Sequence, residues 1–194
     1  MTEINRAKLF GKLNRVCYKS IESATVFCKL RGNPYVELVH WFHQILQLQD
    51  SDLHRIVKAF GIDTARLAKD LTESLDRLPS GATSIDMSSH VDDAVERGWV
   101  YGTLMFDESQ VRSAHLIVGM LKTKELCYQL LAICKEFDKV KVDTLIDRYN
   151  EVVGGSPEEG LSTTDGSQVG GGAVPRGAAG AMSPANFGGR IFWH

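Results

Sequence analysis

The chain has 194 residues, of which 43% are hydrophobic, and a formal net charge of −2. A chain of this length forms one compact domain or two very small ones. Its charges are not clustered, so it lacks the basic stripe typical of nucleic-acid binding, and no apolar run approaches the roughly 18 residues of a membrane span. The N-terminus does not resemble an export signal. We therefore expect a cytoplasmic protein with neither nucleic-acid nor membrane partners.

Residues 1–153 have the sequence pattern of helices almost throughout. Apolar side chains recur at three-and-four spacing between Leu9 and Cys28, which predicts a first long helix. Asn33 and Pro34 then supply an N-cap and a proline for the first turn of the next helix. The four cysteines contain no C-x-x-C pair, and we expect them to be reduced and to pack as small hydrophobes.

Two further helix starts can be predicted from capping residues. Asp63 is expected to cap a helix that ends before Pro79. Ser89 and Asp92 form an S-x-x-D capping box at the start of another helix. No stretch alternates between apolar and polar residues with a period of two, so we predict an all-α domain.

The chain resembles itself when it is shifted by 75 residues. The segment VELVHWFHQIL at 36–46 then aligns with VRSAHLIVGML at 111–121, so that His40 meets His115, and further along Asp63 meets Asp138. Because several helices match in order, we predict a pseudo-symmetric tandem repeat of two four-helix units. The first unit would cover about residues 6–78 and the second about residues 85–153.

Two histidines in this segment have a spacing that suits a metal ion. His40 and His43 lie three residues apart on one side of a helix, but the second copy keeps only His115 and replaces the other by Val118. A metal site would also need further ligands, so we expect no metal and assign the repeated histidine a hydrogen bond to a neighbouring group. We find no motif of a nucleophile, a phosphate loop or a zinc protease, and expect no cofactor and no catalytic residue.

The composition changes abruptly at Gly154. Residues 154–194 hold eleven of the 18 glycines and three of the five prolines, which predicts a flexible linker or tail. The final RIFWH is unusually aromatic for a linker. It could be a docking motif, or it could result from truncation or a change of reading frame.

The duplicated helical unit followed by a Gly/Pro-rich linker resembles the N-terminal Clp repeat domain of the Clp/Hsp100 unfoldases. The strings LFGKLN, ATVFCKLRGNPYVELVHWFHQIL, LAKDLTESLDRLPSGATSI and AVERGWVYG are similar to the branch of that family that serves bacterial type VI secretion, and the similarity extends to about residue 160. The resemblance implies a recruitment domain. Its ligand would be the N-terminal helix of the large contractile-sheath subunit, and the attached AAA+ rings would then disassemble contracted sheath for recycling.

A helical ligand needs an apolar groove between helices. The first helix has apolar side chains on more than one face, and the resemblance implies a groove at this N-terminal edge, beside the start of the second repeat. Core packing explains Leu13, Val16 and Val91 as well as the groove does or better, whereas Ile4, Phe10 and Met87 favour the groove. The residues expected to line it are Ile4, Leu9, Phe10, Leu13, Ile85, Met87 and Val91.

The chain ends before either ATPase ring of the resembled family and has no Walker lysine. We therefore expect that only ligand binding carries over, that this chain is not an enzyme, and that it is monomeric, whereas the complete resembled protein would be hexameric. The alternative is a stand-alone Clp-repeat adaptor or regulatory module that competes for the same ligand.

Overall fold

The computed structural model describes residues 4–160, which form ten α-helices, one 3-10 helix and one two-stranded sheet. The elements before the midpoint are α1 (Arg6–Phe10), α2 (Arg15–Arg31), β1 (Tyr35–Val36), α3 (Leu38–Leu46), α4 (Asp52–Ala59) and α5 (Thr64–Asp76). The later ones are β2 (Asp86–Met87), α6 (Ser89–Phe106), α7 (Ser113–Leu121), α8 (Lys124–Ile133), the 3-10 helix (Lys135–Lys139), α9 (Val142–Asp147) and α10 (Tyr149–Val153).

The helices repeat as the sequence predicts. Helices α3 and α7 begin and end 75 residues apart, and the packing of α2 on α3 has its counterpart in the packing of α6 on α7. Helices α4 and α5 correspond in the same order to α8 and α9, while α1 and α10 are the first and last helices of the described residues. The prediction of an all-α, pseudo-symmetric double repeat is therefore confirmed.

Two short parallel pairings, the β1–β2 sheet and a single-residue bridge, join the two repeats in a reciprocal way, and we call them the two strand pairs. In β1 and β2, Val36 of the first repeat pairs with Met87, the residue just before the N-cap of α6. In the second pair, Val111 bridges to Leu13, the residue just before the N-cap of α2. Each repeat thus pairs with the residue that precedes the N-cap of the other repeat's first long helix. Strands of one or two residues cannot show a period of two, which is why the sequence did not reveal them.

The structure confirms one of the predicted helix starts and corrects three others. Asp63 caps α5, since its Oδ1 accepts hydrogen bonds from the amides of Ala65 and Arg66. The predicted first helix is instead broken after Phe10, and α2 begins anew with Asn14 as its N-cap. The N-cap of α3 is Glu37 rather than Asn33, and that of α6 is Ser88 rather than Ser89.

Asn33 fails as a cap because the chain after it is extended rather than helical. Pro34 is followed directly by β1, and the Asn33 side chain bonds instead to the Pro79 carbonyl oxygen, at 2.7 Å, and to His40. The same amide that could have capped a helix therefore joins the end of α5 to the start of α3.

Glycine allows α6 and α7 to approach closely. A Cβ at Gly102 would lie 2.6 Å from Nδ1 of the buried His115, and one at Gly119 would lie 2.8 Å from backbone atoms of α6. Neither distance is compatible with a side-chain carbon. In the first repeat, where α2 packs on α3, Ala24 and Cys28 of α2 are fully buried.

The packed part of the chain extends beyond the boundary predicted at residue 153. Ser156 and Glu158 are 4% and 2% exposed, although residues 154–160 belong by composition to the Gly/Pro-rich segment. The prediction of a flexible linker is therefore wrong for this stretch. The rest of that prediction, including RIFWH, falls on residues 161–194, outside the described part. Within residues 4–160 no helix is long and apolar enough to cross a membrane.

Candidate functional site

Helix α1 lies against α6, and Arg6 at its start bonds to the segment that begins α6. Asn5 caps α1 by accepting a hydrogen bond from the Lys8 amide. The Arg6 guanidinium donates to Asp92 at the start of α6, with an Nη2–Oδ2 distance of 2.6 Å, and to Asp86 of β2 at 3.1 Å. These hydrogen bonds, above all the one to Asp92, raise the pKa of Arg6 above its ordinary value. The planar guanidinium can donate hydrogen bonds to two carboxylates at once. Arg6 therefore joins α1 both to the start of α6 and to β2.

Most of the predicted groove residues lie inside the core. Leu9 and Phe10 point from α1 into the interior, with exposures of 9% and 0%, and Val91 of α6 is fully buried. Leu13 and Met87 are buried in the two strand pairs. For Phe10 the preference for a groove wall over core packing is therefore wrong, because α1 folds back onto α6 and covers this side chain.

Two of the seven residues remain accessible. Ile4 is 57% exposed just before α1, and Ile85 is half-buried just before β2. Arg6 joins their two segments, since it lies two residues after Ile4 and bonds to Asp86, the neighbour of Ile85. Leu9 and Met87, at 9% and 8%, are the buried residues of the set that keep most contact with solvent.

Trp99 is an apolar residue at this edge that the sequence analysis missed. It is 37% exposed on α6, and the Lys12 ammonium lies 6.0 Å from the centre of its ring. Residues seven apart on a helix share a side, so Trp99 lies two turns beyond Asp92 on the flank that α1 follows. The seven-residue spacing between Asp92 and Trp99 could have identified Trp99 from the sequence. We call the surface formed by Ile4, Leu9, Ile85, Met87 and Trp99 the α1 edge.

A cleft lies elsewhere, between α3, α4 and α5. Its volume is about 790 Å³, and its walls include Leu46, Val57 and Leu71 together with His43 and His54. A second cleft of about 320 Å³ lies between α2 and the end of α3. No group of three or more potential metal ligands occurs in residues 4–160.

The repeated histidine completes the N-terminus of a helix in each unit. His40 Nδ1 accepts a hydrogen bond of 2.9 Å from the Glu37 amide, and His115 Nδ1 accepts one of 3.1 Å from the Arg112 amide. In both helices the histidine is the third helical residue, and its side chain reaches back to the amide of the N-cap residue. The expected hydrogen bond of the repeated histidine to a neighbouring group is thus confirmed. His43 instead stacks on Phe27, with the ring centres 4.8 Å apart.

No protein-family model matches the chain. Among curated proteins it is 65% identical over 189 residues to the AAA+ ATPase ClpV1 of Pseudomonas aeruginosa, which is 97% of this chain but 21% of that protein. The chain therefore spans about a fifth of the length of this relative.

Solved structures agree with this match. One described in connection with the ATPase ClpV, the TssB-TssC sheath and the accessory HsiE protein is 68% identical, covers 81% of this chain and 98% of that chain, and superposes with a TM-score of 0.80. A complex of the ClpV N-domain with a VipB peptide is 18% identical, covers 81% and 97% of the two chains with a TM-score of 0.69, and has the same fold. The chain belongs to the ClpV family and corresponds to its N-terminal domain.

Proposed function

We propose that the chain is the substrate-recruitment domain of a type VI secretion unfoldase. It binds the N-terminal helix of the large contractile-sheath subunit, so that the complete protein can disassemble contracted sheath for reuse. The observation that carries this proposal is the identity of 65% to ClpV1 along 97% of the chain. The fold supports it, because a ClpV N-domain of the same fold has been captured with a VipB peptide.

The α1 edge is the surface that we propose for this ligand. An amphipathic helix binds through an apolar stripe, and Ile4, Ile85 and Trp99 offer accessible apolar side chains around α1. Leu9 and Met87 form the floor between them. The other three predicted residues contribute indirectly, because they are buried at 0–4% exposure and stabilise the positions of α1 and the strand pairs: Phe10, Leu13 and Val91.

Titration calorimetry with a synthetic peptide of the sheath subunit's N-terminal helix tests the proposal. Ile4→Asp should weaken binding about tenfold or more, about 1.4 kcal/mol, because it places a charge against the apolar face of the ligand. Leu30→Asp is the matched control: Leu30 is 81% exposed near the far end of α2. The proposal fails if the peptide does not bind to the wild-type chain, and the placement fails if Ile4→Asp and Ile85→Asp both bind like wild type.

The remaining properties of the recruitment domain follow from its relation to the full-length ATPases. We propose that the isolated domain is monomeric and acts in the cytoplasm, and that ATP hydrolysis belongs to the rings of a complete, hexameric protein. Sedimentation of the purified chain at several concentrations tests the first point. A stable dimer would contradict it.

A further inference from the structure

Glu158 is a buried carboxylate at a place where three helices begin. It is 2% exposed, and four hydrogen bonds of 3.0 Å or less reach its two oxygens. Oε1 accepts from Asn14 Nδ2 at 3.0 Å and from the Ser113 amide at 2.8 Å. Oε2 accepts from the Asp52 amide at 2.7 Å and from Ser113 Oγ at 2.5 Å.

These partners are the N-termini of α2, α4 and α7. Asn14 is the N-cap of α2, while Asp52 and Ser113 are the first residues of α4 and α7. The first amides of a helix have no partner within it, and the helix dipole favours a negative charge there. Helices α2 and α4 belong to the first repeat and α7 to the second. One carboxylate therefore satisfies helix ends from both repeats.

The residues before Glu158 are held by an adjacent network of charges. Arg112 donates to Asp52 through Nε and Nη2, both at 2.8 Å, and Ser156 Oγ donates to Asp52 Oδ1 at 2.5 Å. Burial opposes the charged guanidinium, but the hydrogen bonds and attraction of Asp52 outweigh it and raise the pKa of Arg112.

Arg55 holds the same segment from the other side. It donates to the carbonyl oxygens of Gly154 and Gly155 at 3.0 and 3.1 Å. Its side chain also bonds Asp50, with an Nη2–Oδ2 distance of 2.7 Å. The segment 154–158 is thus fixed by backbone contacts as well as by its own side chains.

We propose that the two repeats together form an intramolecular carboxylate-binding site, filled by Glu158, that locks the repeats to each other and anchors the chain where it leaves the domain. The packed part of the domain then extends to Glu158, beyond Gly154, where the composition changes. The proposal is independent of the sheath ligand.

Point variants in the 194-residue chain test the anchor. Glu158→Ala should raise the equilibrium constant for unfolding in urea at least about tenfold, because the loss leaves buried amides without an acceptor. Glu159→Ala is the matched control, since Glu159 is exposed and its side chain accepts a hydrogen bond from the Gly155 amide rather than from a helix N-terminus. Equal unfolding constants for the two variants would overturn the proposal.

A second measurement separates the anchor from a general loss of stability. Native-state hydrogen exchange should be at least about tenfold faster for the Asp52 and Ser113 amides in Glu158→Ala than in Glu159→Ala, with the interior of α8 unchanged under conditions where only local opening occurs. Unchanged exchange at these two amides would refute the site. If Glu158→Ala does not fold, Glu158→Gln replaces it in this measurement. The glutamine amide presents N–H groups where the Asp52 and Ser113 amides need an acceptor. Unaltered hydrogen exchange of these two amides in Glu158→Gln would also refute the site.

Discussion

The His40 imidazole should make the stability of the domain depend on pH. Burial, and then the charge of Arg31, lower the pKa of His40 from its ordinary value of 6.5 to about 4. Because Nδ1 accepts from the Glu37 amide, the ring proton lies on Nε2 and is donated to Asn33 Oδ1 at 2.9 Å. A second proton on Nδ1 would break the first of these bonds.

The direction of the effect follows from which state binds the proton. Between pH 6.5 and 4 the unfolded chain protonates His40 while the folded domain does not, so acidification favours unfolding. The free energy of unfolding should fall by about 2 kcal/mol between pH 7.5 and pH 5.0 from this residue alone, and by about 3 kcal/mol once the pH is below 4. The pKa of His43 is also lowered by burial, so it contributes in the same direction.

Urea unfolding of the wild type and of His40→Asn at a series of pH values isolates the contribution of His40. The asparagine oxygen can accept from the same amide but does not titrate, so the variant should be less stable at pH 7.5 and yet lose about 2 kcal/mol less on acidification to pH 5.0. His43→Asn serves as the control for the neighbouring ring. If the wild type and His40→Asn lose stability in parallel between pH 7.5 and pH 5.0, the reasoning from the buried neutral imidazole is refuted.

Two further predictions concern helix packing within the second repeat and an ion pair between the two repeats. Gly102→Ala should lower the free energy of unfolding in urea by about 1–3 kcal/mol, because its Cβ would displace the ring of His115. Gly98→Ala should lower it by less, since its Cβ would come no closer than 3.2 Å to a side chain. Equal losses for the two variants would contradict this ranking. Arg112→Met should lower the free energy of unfolding by about 3–5 kcal/mol, because it leaves the fully buried Asp52 carboxylate without its cation. The double variant Arg112→Met/Asp52→Leu should recover much of that loss of stability. A loss below about 1 kcal/mol for the single variant would be inconsistent with a buried ion pair.

The predictions of candidate site residues failed where burial depends on contacts between distant segments. The apolar residues from Ile4 to Leu13 suggested a surface wider than a core helix needs, but a break after Phe10 allows α1 to turn back onto α6. The same spacing is compatible with an exposed groove wall and with a buried helix face. The capping residues at the start of α6 carry no information about Trp99, which lies two turns beyond Asp92 on the same helix.

The sequence by itself determined the double repeat, the helical class and the structural role of the repeated histidine. Each rests on local spacing or on self-similarity, which are present in the chain before it folds. Only the tertiary structure decided which apolar side chains face solvent, how Val36 and Val111 pair across the repeats, and that Glu158 is part of the domain. Composition places Glu158 in a linker, because a single carboxylate carries no local signal that three helix N-termini from two repeats will converge on it.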